Sequence, residues 1–253
     1  MNFKRRDFIK KASLVSANIL AVPNLHNCTS SKIVKNNMPY GINVVFQGDS
    51  ITDGGRNKKS KGPNDFENIG MGYVFLSAAS LAGEFASTNL KYYNRGVSGD
   101  KVFQLLERWS EDTIALKPDV VSILIGVNDF WHKLTNGHKG SEITYESDYR
   151  RLVKVTKNKL PNVEVIIGEP FCILDEIKNE KLEWKVNFPK YQKAAYKIAK
   201  EFDAIWIPYQ SIFDKAIKQA PASYWTWDGI HPSLAGNYLI SKAWLQAFNT
   251  LYK

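Results

Sequence analysis

Four short stretches of the 253-residue chain hold polar residues that could break an ester bond. They are Gly48-Asp49-Ser50, Asn94-Arg95-Gly96, Asn128-Asp129 and Asp228-Gly229-Ile230-His231. A serine hydroxyl becomes a useful nucleophile only when a nearby base takes its proton. Histidine suits that task because its ordinary pKa of about 6.5 lets it gain and lose a proton near neutrality. A carboxylate must then fix the imidazole tautomer and stabilise the imidazolium. Asp228 and His231 are three residues apart and can supply both functions if their segment turns them toward Ser50. The oxyanion of the tetrahedral intermediate needs donors, each contributing roughly 3 to 4 kcal/mol to the transition state. The Ser50 amide, the Gly96 amide and the Asn128 side chain are the candidates. Singly, each residue has a plainer role: Ser50 as a helix N-cap, Asn128 and Asp228 as turn residues. Gly96 has a rival in Gly99, since either glycine could serve a turn with positive φ.

The elements that must position these residues alternate in kind after about residue 40. Ile42–Gln47, Leu90–Asn94, Val120–Ile125, Val163–Gly168 and Ala204–Ile207 are short apolar runs expected to be buried strands. Between and after them, residues 71–85, 102–116, 145–160, 188–202 and 234–248 carry apolar side chains at helical spacing. Pro118 and Pro161 follow two of the helices and mark their ends. Five strands separated by helices predict a mostly parallel sheet covered on both faces, a three-layer α/β/α sandwich. Ligands bind such sheets beyond the carboxyl ends of the strands. Three of the four stretches fall at those ends, and the fourth falls at the entry to the last helix.

In order and spacing, "FQGDSIT", "NRGVSGD", "IGVNDFW" and "DGIHPS" resemble the four sequence blocks of the SGNH (GDSL-type) hydrolases. The resemblance runs from about residue 42 to 248. It implies a flavodoxin-like SGNH hydrolase fold and a serine esterase mechanism. It also implies Ser50 as nucleophile, Asp228 and His231 as its partners, and Ser50, Gly96 and Asn128 around the oxyanion. The first block ends in Ile51-Thr52 where leucine is usual. The G-x-S-x-G elbow of the α/β-hydrolases is missing. Asp49 and Asp129 read as loop-fixing acceptors beside the reactive residues, and Thr52 and Arg56 as structural.

The formal charge of +9 does not point to nucleic acid, because no basic stripe with base-stacking aromatics and no reading motif accompanies it. Residues 1–31 carry Lys4, Arg5, Arg6, Lys10 and Lys11 against Asp7. "RRDFIKK" and the apolar run from Ala12 to Val22 resemble a twin-arginine export signal, with a Sec signal or a basic amphipathic helix as alternatives. That run is too short to span a bilayer, which takes about 20 residues. Leu25 stands three residues before Cys28, as in a lipoprotein cleavage box, although His26 and Asn27 depart from the small residues usual there. The expectation is thus an exported leader over residues 1–31, with a lipid anchor at Cys28 as an option, followed by one catalytic domain over 40–253. The protein would then be periplasmic, anchored in the bacterial envelope or secreted. Cys28 and Cys172 offer no zinc site, and His132 and His138 lack an acidic partner at a metal-binding spacing. No metal or organic cofactor is expected.

Trp131 closes the third block and Tyr224, Trp225 and Trp227 precede the fourth, so all four are expected at the rim of the site. They suit either packing under the last helix or a sugar-stacking platform. The favoured expectation is an esterase that removes acetyl groups from carbohydrate. A lysophospholipase or thioesterase acting on lipid is the alternative, and a non-catalytic carbohydrate-binding protein is the third. The loop from Phe171 to Val186 follows a strand end and is expected to shape the pocket.

Overall fold

A computed structural model describes residues 38–252. The expected leader, with Arg5, Arg6 and Cys28, lies outside the described residues. Five strands form one sheet: β1 (Asn43–Gly48), β2 (Lys91–Asn94), β3 (Val120–Leu124), β4 (Glu164–Gly168) and β5 (Ile205–Ile207). Every pairing is parallel, in the order β2-β1-β3-β4-β5. Sequence pointed to a mostly parallel sheet, and the sheet is wholly so. Val44, Val45 and Phe46 of β1 and Val120, Val121 and Ile123 of β3 are fully buried, as strands covered on both faces must be.

The helices are α1 (Ser50–Asp53), α2 (Phe66–Ile69), α3 (Tyr73–Glu84), α4 (Val102–Asp112) and α5 (Val127–Thr135). They continue as α6 (Glu142–Lys159), α7 (Lys181–Glu201), α8 (Tyr209–Ala216), α9 (Ala222–Trp225) and α10 (Leu234–Phe248). On one face of the sheet, Phe46 packs against Tyr73 of α3 and Trp244 of α10, and the Trp244 indole N–H donates to Ser122 Oγ at 2.8 Å. On the other, Gln47 of β1 donates to Thr113 Oγ1 at 2.8 Å, and Trp109 of α4 donates to Thr156 of α6 at 2.8 Å. The two buried indoles of Trp109 and Trp244 therefore each have a partner for their one polar atom. Among the described residues no helix is long and apolar enough to cross a membrane.

Helices α4 and α7 differ most from their sequence-based bounds, each for a local reason. Residues 102–116 divide into α4 and a 3₁₀ turn at Ile114–Leu116, because Thr113 leaves helical geometry where its hydroxyl meets buried Gln47. Helix α7 begins seven residues before the expected Phe188 and passes through Pro189. Proline lacks the amide for an intrahelical bond, so packing must hold this segment. Trp184 and Phe188 supply it by closing on Phe130 of α5, with ring centroids 4.9 and 5.7 Å away.

Candidate active site

The strand order reverses direction of growth between β1 and β3, and ligands bind open α/β sheets at such a crevice. Ser50 is the first residue of α1, two residues past the end of β1. Asp49 caps α1 by accepting the Ile51 amide at 3.0 Å. At Gly48 an added Cβ would lie 2.3 Å from both the Leu124 carbonyl oxygen and Thr52 Oγ1, so only glycine fits this strand exit.

His231 comes from the segment before α10. Thr226 bridges to Pro232, and Gly229, at φ 87°, lets the chain turn sharply between them. Asp228 Oδ1 accepts the amides of Ile230 and His231 at 2.9 and 2.7 Å. Its Oδ2 lies 2.6 Å from His231 Nδ1, and His231 Nε2 lies 2.8 Å from Ser50 Oγ. The expected three residues therefore form one continuous hydrogen-bonded chain. Burial works against the Asp228 carboxylate, but the His231 ring and the two amides outweigh it and hold its pKa below the usual range. The same Asp228 contact raises His231 above its ordinary 6.5, against the effect of burial. An imidazole held in this way carries its proton on Nδ1 and leaves Nε2 to accept from the serine.

The structure separates Gly96, the glycine expected at the oxyanion, from its rival Gly99. The Gly96 amide donates to Asn94 Oδ1 at 2.9 Å, and the Gly96 carbonyl accepts from Arg56 Nε at 2.8 Å. A Cβ at Gly96 would lie 2.3 Å from the Asp53 amide nitrogen, so this glycine is needed for close packing against α1. The role given to Gly96 at the oxyanion is thus corrected, because its N–H is already committed. Gly99 has φ 86°, and among the described residues its amide has no backbone partner. Its neighbours fix it near the site. Ser98 is tied through its amide and hydroxyl to Asp53 of α1, at 3.0 and 3.1 Å. The Asp100 carbonyl accepts Asn128 Nδ2 at 3.1 Å. That bond uses one hydrogen of the Asn128 amide and leaves the other for a substrate oxygen. The Ser50 amide, as the first N–H of α1, has no intrahelical acceptor.

Asp49 and Asp129 lie fully buried beneath these residues. Burial pushes Asp49 up to about 7 and Asp129 up to about 8, with bonds from Ile51 and Val102 respectively acting the other way. Both are loop-fixing acceptors, as expected. His132 Nδ1 faces Lys101 Nζ at 3.2 Å and His138 stacks on Phe103, so the two histidines serve packing. Among the described residues no cluster of three or more metal-ligating side chains occurs.

A cleft of about 430 Å³ opens beside Ser50 and His231, with Trp227, Met71, Leu234 and Asn237 on its walls. Trp227 is 64% exposed, and its ring stacks on His231 at 5.5 Å and 13°. Trp131 also lies beside His231, with ring centroids 6.1 Å apart and the planes tilted by 60°. Trp225 is a correction: it is buried and its indole N–H donates to the Ala220 carbonyl, so it packs under the rim and faces no substrate. A second cavity of about 260 Å³ lies past Asp228, lined by Trp131, Trp184, Ile177 and the Glu176–Glu180 segment of the loop expected to shape the pocket. Met71, Leu234 and Asn237 escaped the sequence reading because no motif joins them; they meet only when α3 and α10 pack together.

An α/β/α sandwich carrying this chain of serine, histidine and aspartate at its switch point is built for ester chemistry. The sequence matches the GDSL-like lipase/acylhydrolase family over residues 46–239. An acetylxylan esterase of Geobacillus stearothermophilus is 33% identical over 210 residues, covering 81% of this chain and 93% of that protein. Its crystal structure superposes with a TM-score of 0.73, covering 83% of this chain and 95% of that one at 31% identity. A Parabacteroides merdae protein named as a GDSL-like lipase gives a TM-score of 0.81 at 48% identity, covering 84% of this chain and 98% of its own. Forms of the Geobacillus esterase altered at a serine, at an aspartate or at a histidine three positions after that aspartate are described as catalytic mutants. This chain belongs to the GDSL-like lipase/acylhydrolase family, and it is a carboxylic ester hydrolase.

Proposed function

We propose that Ser50 is the nucleophile, His231 the general base and acid, and Asp228 the carboxylate that orients His231. The observation that carries this reading is the unbroken path from Ser50 Oγ through His231 to Asp228, at 2.8 and 2.6 Å. Ser50 Oγ attacks the acyl carbon as its proton passes to His231 Nε2. The carbonyl electron pair moves onto oxygen, where the Ser50 amide, Asn128 Nδ2 and the Gly99 amide stabilise it. Collapse expels the alcohol, which takes the proton from Nε2 and leaves acyl-Ser50. Water then repeats the attack with His231 as base, releasing the carboxylic acid and restoring the serine. Every proton and electron pair in this cycle is carried by the named groups and water, so the cycle calls on no metal or organic cofactor.

The proposed substrate is an acetylated carbohydrate. The esterase relative acts on acetylated xylan by its name, and an exposed tryptophan at the mouth of the cleft suits the face of a sugar ring. Lipid esters are the second reading, favoured by Met71 and Leu234, which are 82% and 81% exposed at the same mouth. Hydrolysis of p-nitrophenyl acetate and acetylated xylan, measured beside Ser50→Ala, tests the proposal. Activity on both that vanishes in the variant is expected. Turnover that rises steadily from acetyl to decanoyl esters with none on xylan would replace the glycan by lipid. Undiminished turnover in Ser50→Ala would remove the serine mechanism.

We also propose export to the periplasm, envelope or medium, on the strength of Arg5-Arg6 and the apolar run that follows. Anchoring at Cys28 would show as fatty-acid labelling that Cys28→Ala abolishes. An unlabelled protein recovered outside the cytoplasm would keep export and discard the anchor.

A further inference from the structure

We infer that the outer face of α6 and α7 is a second binding site, for a polysaccharide that carries carboxylates. The choice of a glycan rests on the substrate reading above, whereas the surface itself rests on charge and shape. Helices α6 and α7 hold eleven lysines and arginines against five carboxylates. The rest of residues 38–253 holds sixteen basic against nineteen acidic side chains. The positive excess of this part of the chain is therefore confined to one pair of helices.

Four of those lysines line a groove. A depression of about 530 Å³ runs between α6 and α7, walled by Lys190, Lys193, Lys197 and Lys200 on one side and Ile143 and Glu146 on the other. At 1.5 Å per residue the lysine row is about 15 Å long, the length of about three sugar units. Glu146 occupies Lys197 and Arg150, both at 2.7 Å. Among the described residues, Lys190, Lys193 and Lys200 have no carboxylate within 4.0 Å. Tyr196 opens into the same groove, 47% exposed, and its ring is braced edge-on against Trp206 of β5 at 5.4 Å.

These features select one occupant. Ammonium groups attract carboxylates, a braced tyrosine offers a face on which a sugar ring can stack, and a groove suits a chain. Glu142 and Glu146 on the opposite wall can accept the hydroxyls that each sugar unit offers beside its carboxylate. The groove also leads somewhere useful. Helix α7 starts at the catalytic edge, where Trp184 walls the cavity beside Asp228. A polymer held along α7 would stay near the cleft and raise the local concentration of its esters.

The test is binding of polygalacturonate, an uncharged dextran and phosphatidylglycerol vesicles, measured by calorimetry and co-sedimentation. It uses the full chain in the Ser50→Ala background, so the result stands whether or not the hydrolytic reading holds. Polygalacturonate alone should bind, weakening about tenfold as salt rises from about 50 to 500 mM. Lys190→Gln with Lys193→Gln and Lys200→Gln should weaken it at least about tenfold, and Tyr196→Ala by about threefold. In the otherwise wild-type chain the triple variant should hydrolyse p-nitrophenyl acetate at the unaltered rate. Absence of polygalacturonate binding, equal binding by the triple variant, or binding of vesicles in place of polygalacturonate would each overturn the inference.

Discussion

At His231 two influences oppose each other, and their balance sets a testable pH dependence. The bond from Asp228 raises the histidine above 6.5 and burial lowers it, with the bond prevailing. Only the neutral ring can take the Ser50 proton, so kcat/KM should fall as pH drops through a value above 6.5. Asp228→Asn removes the charge that raises it and permits the wrong tautomer. That variant should lose about 10⁴ in kcat, with its acid limb moved downward. A wild-type limb below 6.5 would contradict the assignment. The two glycines of the second block give a sharper contrast. Gly96→Ala puts a methyl 2.3 Å from the Asp53 nitrogen and should cost roughly 2 kcal/mol or more in a denaturant titration. Gly99→Ala meets nothing closer than His132 at 3.8 Å, so it should stay folded with about 1 kcal/mol of backbone strain and a lowered kcat. Equal loss of stability in both would put the two on the same footing again. Sequence favoured Gly96 over Gly99 near the oxyanion, but the choice depends on which amide is already bonded and which φ is positive, and neither is written in the residue types.

The elements show why some bounds were legible and others were not. Helix α10 keeps its expected limits, since Ser233 caps it by accepting the Gly236 amide and its apolar spacing is unbroken. Helix α5 escaped notice because Asn128, Asp129 and Trp131 read as site residues, and a nine-residue segment gives periodicity little room. The same helix carries the buried acid Asp129, whose carboxyl accepts the Val102 amide at the start of α4. Its folded pKa, about 8, stands above the ordinary 3.8 that an unfolded chain would show. The folded state therefore keeps a proton that the unfolded state releases. The stability tied to that proton is complete at acid pH and is lost as pH rises through about 8. Asp129→Asn keeps an acceptor for Val102 and never ionises. Its denaturation midpoint should thus fall less between pH 5 and pH 9 than that of the wild type. Parallel slopes for the two proteins would show that Asp129 does not carry this dependence.

Over the whole molecule, alternating apolar runs were enough to expose a parallel sheet, because burial on both faces leaves a mark along each strand. The cleft was not exposed in that way. Trp227 comes from the turn before α10, Met71 from the turn before α3, and Leu234 from α10 itself, and only their packing makes one mouth. Whether that mouth is shaped for sugar or for an acyl chain can be decided by separating its aromatic side from its aliphatic side. Trp227→Ala removes a stacking surface worth about 1 kcal/mol, so KM for an acetylated xylo-oligosaccharide should rise roughly five- to tenfold. Its kcat/KM on p-nitrophenyl acetate, too small to span the rim, should change by less than about threefold. Met71→Ser with Leu234→Ser should leave the oligosaccharide almost untouched and reduce turnover of a decanoyl ester. If the aliphatic pair governs the better substrate, the enzyme is a lipid esterase with an incidental tryptophan. If Trp227→Ala lowers kcat on both substrates alike, the ring serves chiefly to hold His231, on which it stacks at 5.5 Å, and the sugar must find its platform on the Trp131 side.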